Sequence, residues 1–335
     1  MALKETHITL AHGNGGRFMR ELIDDLFAAR LGNTVLDTSL DAASIPSLPA
    51  GVLVVTTDGF TVQPLEFPGG NIGSLAVHGT INDLAVSGAV PHYLTLNAFI
   101  EEGTEIALLE RLIDAMAQAA RDSQVSVVAG DTKVMPRGQA DGVYFATTGF
   151  GVRPHTLELG MPHVRAGDRI LVSGTVGDHG AAVLLAREEF GFHGDLRSDS
   201  ASVLDAAQAL CKIPGLRFMR DPTRGGLATV ANEMARATSL CVRLQEDAIP
   251  ISEPVQSVCE LLGYDPLYLA SEGRLVAVVA TEAADQALVA LRNTNTEARL
   301  IGELTDEPAQ VIMQTELGGE RVLEELEEDP LPRIC

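Results

Sequence analysis

Short aliphatic runs that stop at Gly or Asp alternate with segments of helical period, and this alternation restricts the fold more than any other feature of the chain. "VLVVTTDG" (52–59) reads as a buried strand that delivers Asp58 to a loop. "NIGSLAVHGTINDLAVSG" (71–88) has helical character and closes at Gly88. "HYLTLNAFI" (92–100) is a second strand. From Glu105 to Asp122 the apolar positions Ile106, Leu109, Leu112, Ile113, Met116 and Ala120 keep helical spacing. "VSVVAGDTK" (125–133) is a strand ending at Gly-Asp, as the first did, and "YFATTGFGV" (144–152) closes this half. Strands alternating with helices predict α/β packing. An aromatic content of 4% with no Trp agrees, because the core must then be aliphatic.

The stretch 153–169 is polar, with Pro154, Gly160, Pro162 and Gly167, and reads as a domain boundary. The rhythm then restarts. Strands are expected at 169–174, 274–280, 298–305 and 310–316, and helices within 175–188, 221–238 and 282–294. After Gly319 the chain becomes acidic and reads as a detached tail carrying Pro330 and Pro332.

A net charge of -22 excludes a nucleic-acid binder on electrostatic grounds. An anionic substrate would need a local positive site or a bridging cation. The N-terminus has no apolar signal core, and no run approaches the length needed to span a bilayer, so the expected location is cytoplasmic. Cys211, Cys241 and Cys259 lie in apolar settings and read as core residues. Cys335 is the last residue, behind two prolines and an acidic run, and fits no packing role.

Several stretches can carry chemistry. "HGNGGR" (12–17) sets Gly13, Asn14, Gly15 and Gly16 before an amphipathic helix. Two readings stand for it: backbone N–H groups holding phosphate, or a flexible N-terminal loop. It is not a P-loop, because GxxxxGK[ST] is absent. Asp58, Asp83 and Asp131 are expected to converge from strand ends on one cleft, where a few carboxylates with nucleotide phosphates suit Mg²⁺. Taken singly, each Asp is as well explained as a cap or turn residue. Lys133 follows Asp131 closely and suits a phosphate contact or a base, or else faces solvent. "DPTRGGL" (221–227) joins Asp221 and Arg224 to a Gly pair at a helix start, a further anion-binding arrangement. Glu272 precedes Gly273 just ahead of a strand.

Together "HGNGG", "DGF", "INDLAVSGA", "AGDTKV", "DPTRGGL", "SEG" and the terminal "PRIC" resemble the aminoimidazole-ribonucleotide synthetase (PurM-like) superfamily. Within it they resemble the hydrogenase-maturation carbamoyl dehydratases. The resemblance runs from residue 12 to the last residue. It implies an α/β (α+β) two-domain PurM-like fold, with the N-terminal sheet forming a barrel across a homodimer. The implied divisions are a glycine-rich segment and helix (1–34), an ATP-binding and dimerisation domain (35–153), a C-terminal α+β domain (154–318) and a flexible thiol-bearing tail (319–335). ATP and Mg²⁺ are the implied cofactors. Cys335 is the implied carrier of a carbamoyl group received from HypF. ATP-dependent dehydration would turn the S-carboxamide into a thiocyanate, whose cyano group passes to the HypC–HypD complex. Glu272 and Lys133 become candidate bases. Gly13 to Gly16, Asp58, Asn82, Asp83, Asp131, Asp221 and Arg224 become the nucleotide site, with metal at Asp58, Asp83 and Asp131. Two rivals remain: another ATP-dependent PurM-like kinase or synthetase, and a non-catalytic thiol carrier or scaffold. Selenophosphate synthetases of the superfamily carry a reactive Cys or selenocysteine near the N-terminus, whereas this chain has no cysteine before 211. A kinase would not need Cys335.

Overall fold

The computed structural model describes residues 5–187, 195–327 and 331–335. A helical run over 17–31 buries Leu22, Leu26, Phe27 and Leu31 on one side. The first sheet follows, from β1 (Val52–Phe60), β4 (Val90–Glu101), β5 (Ser126–Met135) and β6 (Val143–Arg153), with a small hairpin of β2 (Glu66–Phe67) and β3 (Gly70–Asn71) beside it. Its order is β1-β6-β4-β5. Only β4 and β5 run parallel, and the connection between them is helix α2 (Ile106–Asp122). That is the crossover a parallel pair requires.

Helix α1 (Ile72–Val86) starts at Asn71, whose side-chain oxygen accepts from the N–H of Gly73 and Ser74 at 2.9 and 3.1 Å. It is buried on nearly every side. One side meets the first sheet and α2, through Leu75, Ile81, Leu94, Leu109, Leu112 and Phe145. The other meets the second half of the chain, and Asn82 lies buried in that junction. The opposite face of the first sheet is left open, so Leu53 and Val55 on β1 are 56% and 52% exposed.

The second sheet contains β7 (Arg169–Val172), β8 (Leu216–Arg220), β9 (Cys241–Gln245), β10 (Val276–Val279), β11 (Arg299–Thr305), β12 (Val311–Gln314) and β13 (Glu320–Val322). Its order is β13-β12-β9-β11-β7-β10-β8, antiparallel except for β9 with β12. The helices of this half are α3 (Asp178–Arg187), α4 (Leu204–Leu210), α5 (Gly226–Thr238), α6 (Glu253–Leu262) and α7 (Ala284–Arg292). Both sheet faces are covered here. Val276 and Val278 of β10 pack with Leu227, Val230 and Met234 of α5, while Ala277 and Val279 pack with Leu210 and Leu291. The period of two sends alternate residues into two cores.

Three expectations need correction. β1 and β5 continue past Asp58 and Asp131, so neither residue ends its strand. The segment after Gly319 does not begin as a free tail: β13 pairs with β12, and Leu323 is buried. The 154–168 connection contains a short helical turn at Met161–His163.

Candidate active site

The end of β1, the last turn of α1, the loop after β8 and the turn at 271–273 meet around a cavity of about 650 Å³. Asp58, Asp83, Asp221, Arg224, Glu272 and Cys335 all line it. Burial pushes the Asp58 carboxyl up to about 6, with the Asp83 charge as the next cause. Asp83 accepts a 2.6 Å hydrogen bond from the Thr56 hydroxyl across the gap between α1 and β1. Asp221 is 7% exposed, and burial, then Asp83, raises its carboxyl to about 7. Arg224 is presented by a loop in which Gly225 and Gly226 both take left-handed backbone, at φ 68° and 59°. A side chain at Gly226 would meet the carbonyls of Leu267 and Leu269 at 2.5 Å, so the loop needs glycine there.

Glu272 is the most buried acid of the group at 2% exposure, and burial holds its carboxyl well above the usual range. Its Oε1 has no hydrogen-bond partner among the described residues. Its backbone is fixed from two sides. Asp199 accepts from the N–H of Glu272 and Gly273 at 3.1 and 3.3 Å, and the Asn82 amide donates to the Glu272 carbonyl at 2.9 Å. Asn82 also donates to Ala201 O at 2.9 Å and accepts from Val203 N–H at 2.8 Å. All of its polar capacity at this junction goes to clamping backbone, and it does not line the cavity.

The chain end enters this cavity from the outside. Leu331 and Ile334 are buried, and the Arg224 Nε–H donates to Cys335 Sγ at 3.3 Å. Burial, then the Glu272 charge, pushes the thiol up to about 11, so it is protonated while seated. The main chain is gripped at each residue. Thr61 donates its N–H and hydroxyl to Cys335 O at 2.9 and 3.2 Å. His179 Nε2 lies 2.8 Å from Ile334 O, and Arg333 O accepts from Gln63 N–H at 3.4 Å and from Arg187. The Arg333 side chain pairs with Asp141 at 2.6 Å and lies over the Tyr144 ring. Sequence reasoning missed Thr61 and His179. Their roles depend on contacts with residues over 150 positions away, which no local motif announces.

The other expected site residues lie elsewhere in the chain. Asp131 and Lys133 sit on β5, at the sheet edge opposite β1, and pair with each other at 2.6 Å. The Lys133 side chain is 59% exposed within this chain. Gly13 packs against Val134 of the same strand, and Gly15 and Gly16 lie nearby on the surface. Asp131 borders a separate cavity of about 190 Å³ between β5 and residues 36–43. The three aspartates therefore do not converge within one chain. Asp58 and Asp83 do, joined by Asp221.

Among the described residues no three side chains are arranged to hold a metal ion unaided. Mg²⁺ does not require that, since it takes one or two carboxylates and completes its shell with water and phosphate oxygens. Asp58, Asp83 and Asp221 crowd the cavity, with Arg224 the opposite charge acting on Asp58 and Arg220, itself paired with Glu233 at 3.3 Å, the one acting on Asp221. A divalent cation relieves that crowding, so the residues fit the ion.

Two family models match consecutive parts of the chain. The N-terminal domain of AIR synthase related proteins matches residues 40–153, and the C-terminal domain matches 165–314. A carbamoyl dehydratase HypE of Azotobacter vinelandii is 48% identical over 99% of this chain and 98% of its own. The chain belongs to the HypE carbamoyl dehydratase family. A crystal structure of HypE in complex with ATP superposes with a TM-score of 0.93 at 42% identity, covering 98% of this chain and 99% of that one. A HypE chain from a HypE–HypF complex matches at 0.80 and 39%, covering 91% and 99%. The two-domain PurM-like α/β fold is thereby shared over 98% of this chain, and among the described residues no helix is long and apolar enough to cross a membrane.

Proposed function

We propose that this HypE-family chain dehydrates an S-carboxamide on its own Cys335 to a thiocyanate at the expense of ATP, supplying cyanide for hydrogenase assembly. One observation carries the reading. The terminal thiol is seated in the same cavity as Asp58, Asp83, Arg224 and Glu272, where a modified sulfur would meet a nucleotide. The similar HypE solved with ATP supports the choice of nucleotide.

Dehydration is hard because the amide oxygen leaves poorly. In the first step that oxygen attacks the γ-phosphorus, ADP leaves, and one amide proton passes to solvent. In the second step the C–O bond breaks, phosphate leaves, and the remaining N–H proton goes to a base as the C≡N bond forms. Glu272 is the base: its buried side chain lines the cavity that seats the sulfur, and its Oε1 has no other hydrogen-bond partner among the described residues. Arg224, already donating to the sulfur, orients the carbamoyl group. Mg²⁺ held by Asp58 and Asp83 would neutralise charge on the transferring phosphate.

A homodimer completes the site. The first sheet has open edges at β1 and β5 and an uncovered face bearing Leu53 and Val55. Closing two such sheets into a barrel removes those edges. If β1 of one copy meets β5 of the other, the Asp131–Lys133 strand and the glycine-rich loop arrive beside the Asp58 cleft, which accounts for their separation within one chain. HypF is the carbamoyl donor in this scheme, supported by the similar HypE solved with HypF, and the HypC–HypD complex is the cyanide acceptor.

The decisive experiment incubates carbamoylated protein with ATP and Mg²⁺ and reads Cys335 by peptide mass spectrometry. A cyanylated Cys335 is expected, and none in Asp83→Asn, which should keep its fold and lose ATP turnover. Cyanide production that persists in Cys335→Ala refutes the carrier role. Unchanged cyanide delivery by Asp83→Asn favours a non-catalytic carrier instead.

A further inference from the structure

We propose that His179 is the positioning residue that seats the carrier thiol opposite Glu272. His179 lies at the start of α3, has no exposed surface, and does not line the nucleotide cavity. It grips the chain end from beneath, at the residue before the cysteine. A carbonyl oxygen only accepts, so the 2.8 Å contact with Ile334 O fixes the ring proton on Nε2. Nδ1 is then the acceptor, and the Ser198 hydroxyl donates to it at 2.7 Å. Phe67 meets the ring edge-on at 5.3 Å and 87°, which sets its plane. Burial pulls the imidazole down to about 4, so it stays neutral in this tautomer at working pH.

The other side-chain grips on residues 333–335 lie nearer solvent. The Arg333–Asp141 pair is 39% and 60% exposed, and exposed ion pairs hold little. His179 is also linked to the base. Ser198 precedes Asp199, which holds the N–H groups of Glu272 and Gly273, and Asn82 ties the same segment at Ala201 and Val203. One segment therefore orients both the imidazole under the tail and the backbone of Glu272. This inference deepens the carrier reading and rests on it.

The test uses the full chain and follows alkylation of Cys335 by iodoacetamide, resolved from the other cysteines by peptide mass spectrometry. A thiol at about 11 rather than 9.0 has ~100-fold less thiolate, and roughly tenfold of that is offset by its greater intrinsic nucleophilicity. Releasing the tail should thus speed alkylation about tenfold. His179→Phe keeps a ring but has no donor, and should show that increase together with about a tenfold loss of ATP-dependent cyanylation. His179→Gln can still donate to Ile334 O, and should stay within about threefold of the parent in both. Ser198→Ala leaves the ring in place but frees its tautomer, and should fall between them. Equal alkylation in the parent, Phe and Gln chains overturns the inference, as does faster alkylation without loss of cyanylation. Failure of the carrier reading looks different, because Cys335→Ala would then still make cyanide whatever His179 does.

Discussion

Replacing Asp221 by Asn should stabilise the fold while abolishing turnover, and the gain should depend on pH in a defined direction. Asp221 sits behind β8 with almost no exposure, facing Asp83 and Asp58. Its carboxyl is raised from 3.8 to about 7, chiefly by burial. The folded chain therefore holds the proton more tightly than the unfolded chain does. Stability from this group is present below the unfolded value and is lost as pH rises from 3.8 through about 7. The full shift is worth about 4 kcal/mol above pH ~7.5, but only about 1 kcal/mol near pH ~4.5, from ~1.4 kcal/mol per unit. Asn has the same shape and never ionises. Its advantage over the parent in urea unfolding, followed by far-UV circular dichroism, should grow from about 1 to about 4 kcal/mol over that range. Taking the difference between the two chains cancels the titrating groups distant from Asp221, while Asp58, Asp83 and Glu272, which feel its charge, shift with it. Mg²⁺ with ATP should narrow the gap at the higher pH, because the cation takes over the role of the proton. If the Asn chain tracks the parent at both pH values, the carboxylates are not desolvated against one another, and the case for a cation in this cleft goes with them.

Glu272→Gln keeps the shape of the base and removes its proton acceptance. ATP consumption should continue while cyanylation of Cys335 falls by about 10²–10⁴-fold; a loss under tenfold would remove Glu272 from that role. Leu53→Lys places a charge on the open face of β1 at a site already 56% exposed. Sedimentation should show the homodimer dissociating with the monomer fold intact, and an unchanged dimer would exclude pairing through this face.

Much of the fold was legible because strand and helix periods differ and the aliphatic runs are clean. The strands at 52, 92, 125 and 144 and the helix ending at Asp122 lie within a few residues of expectation. β8, β9, α4 and α6 were passed over. β8 is the charged, half-exposed "LRFMR", and α4 is a two-turn helix whose packing comes from distant partners. The site was legible only in part. Asp58, Asp83, Asp221, Arg224, Glu272 and Cys335 meet in one cavity, yet Asp131 and Lys133 lie at the opposite sheet edge. Strand order caused that difference. Both strands carry a Gly-Asp or Asp-Gly signal, but β6 and β4 separate them, and local pattern does not encode order.

On the proposed carrier role, the seating of the chain end accounts for how the thiol is held and still released. Burying Leu331 and Ile334 contributes roughly 2–3 kcal/mol each. The bonds to the main chain of residues 333–335 add about 1 kcal/mol apiece. Against this stands about 1–2 kcal/mol for each ordered residue, before side-chain entropy. The opposing amounts are similar, so docking sits near balance. Small changes at the sulfur then decide it. The seated thiol is protonated and held by one Arg224 contact, whereas a carbamoyl group brings an oxygen and an amide to the same guanidinium and to the empty Oε1 of Glu272. If Cys335 is the carrier proposed above, cargo would strengthen seating where the bare thiol does not, favouring entry of the loaded tail and departure of the spent one.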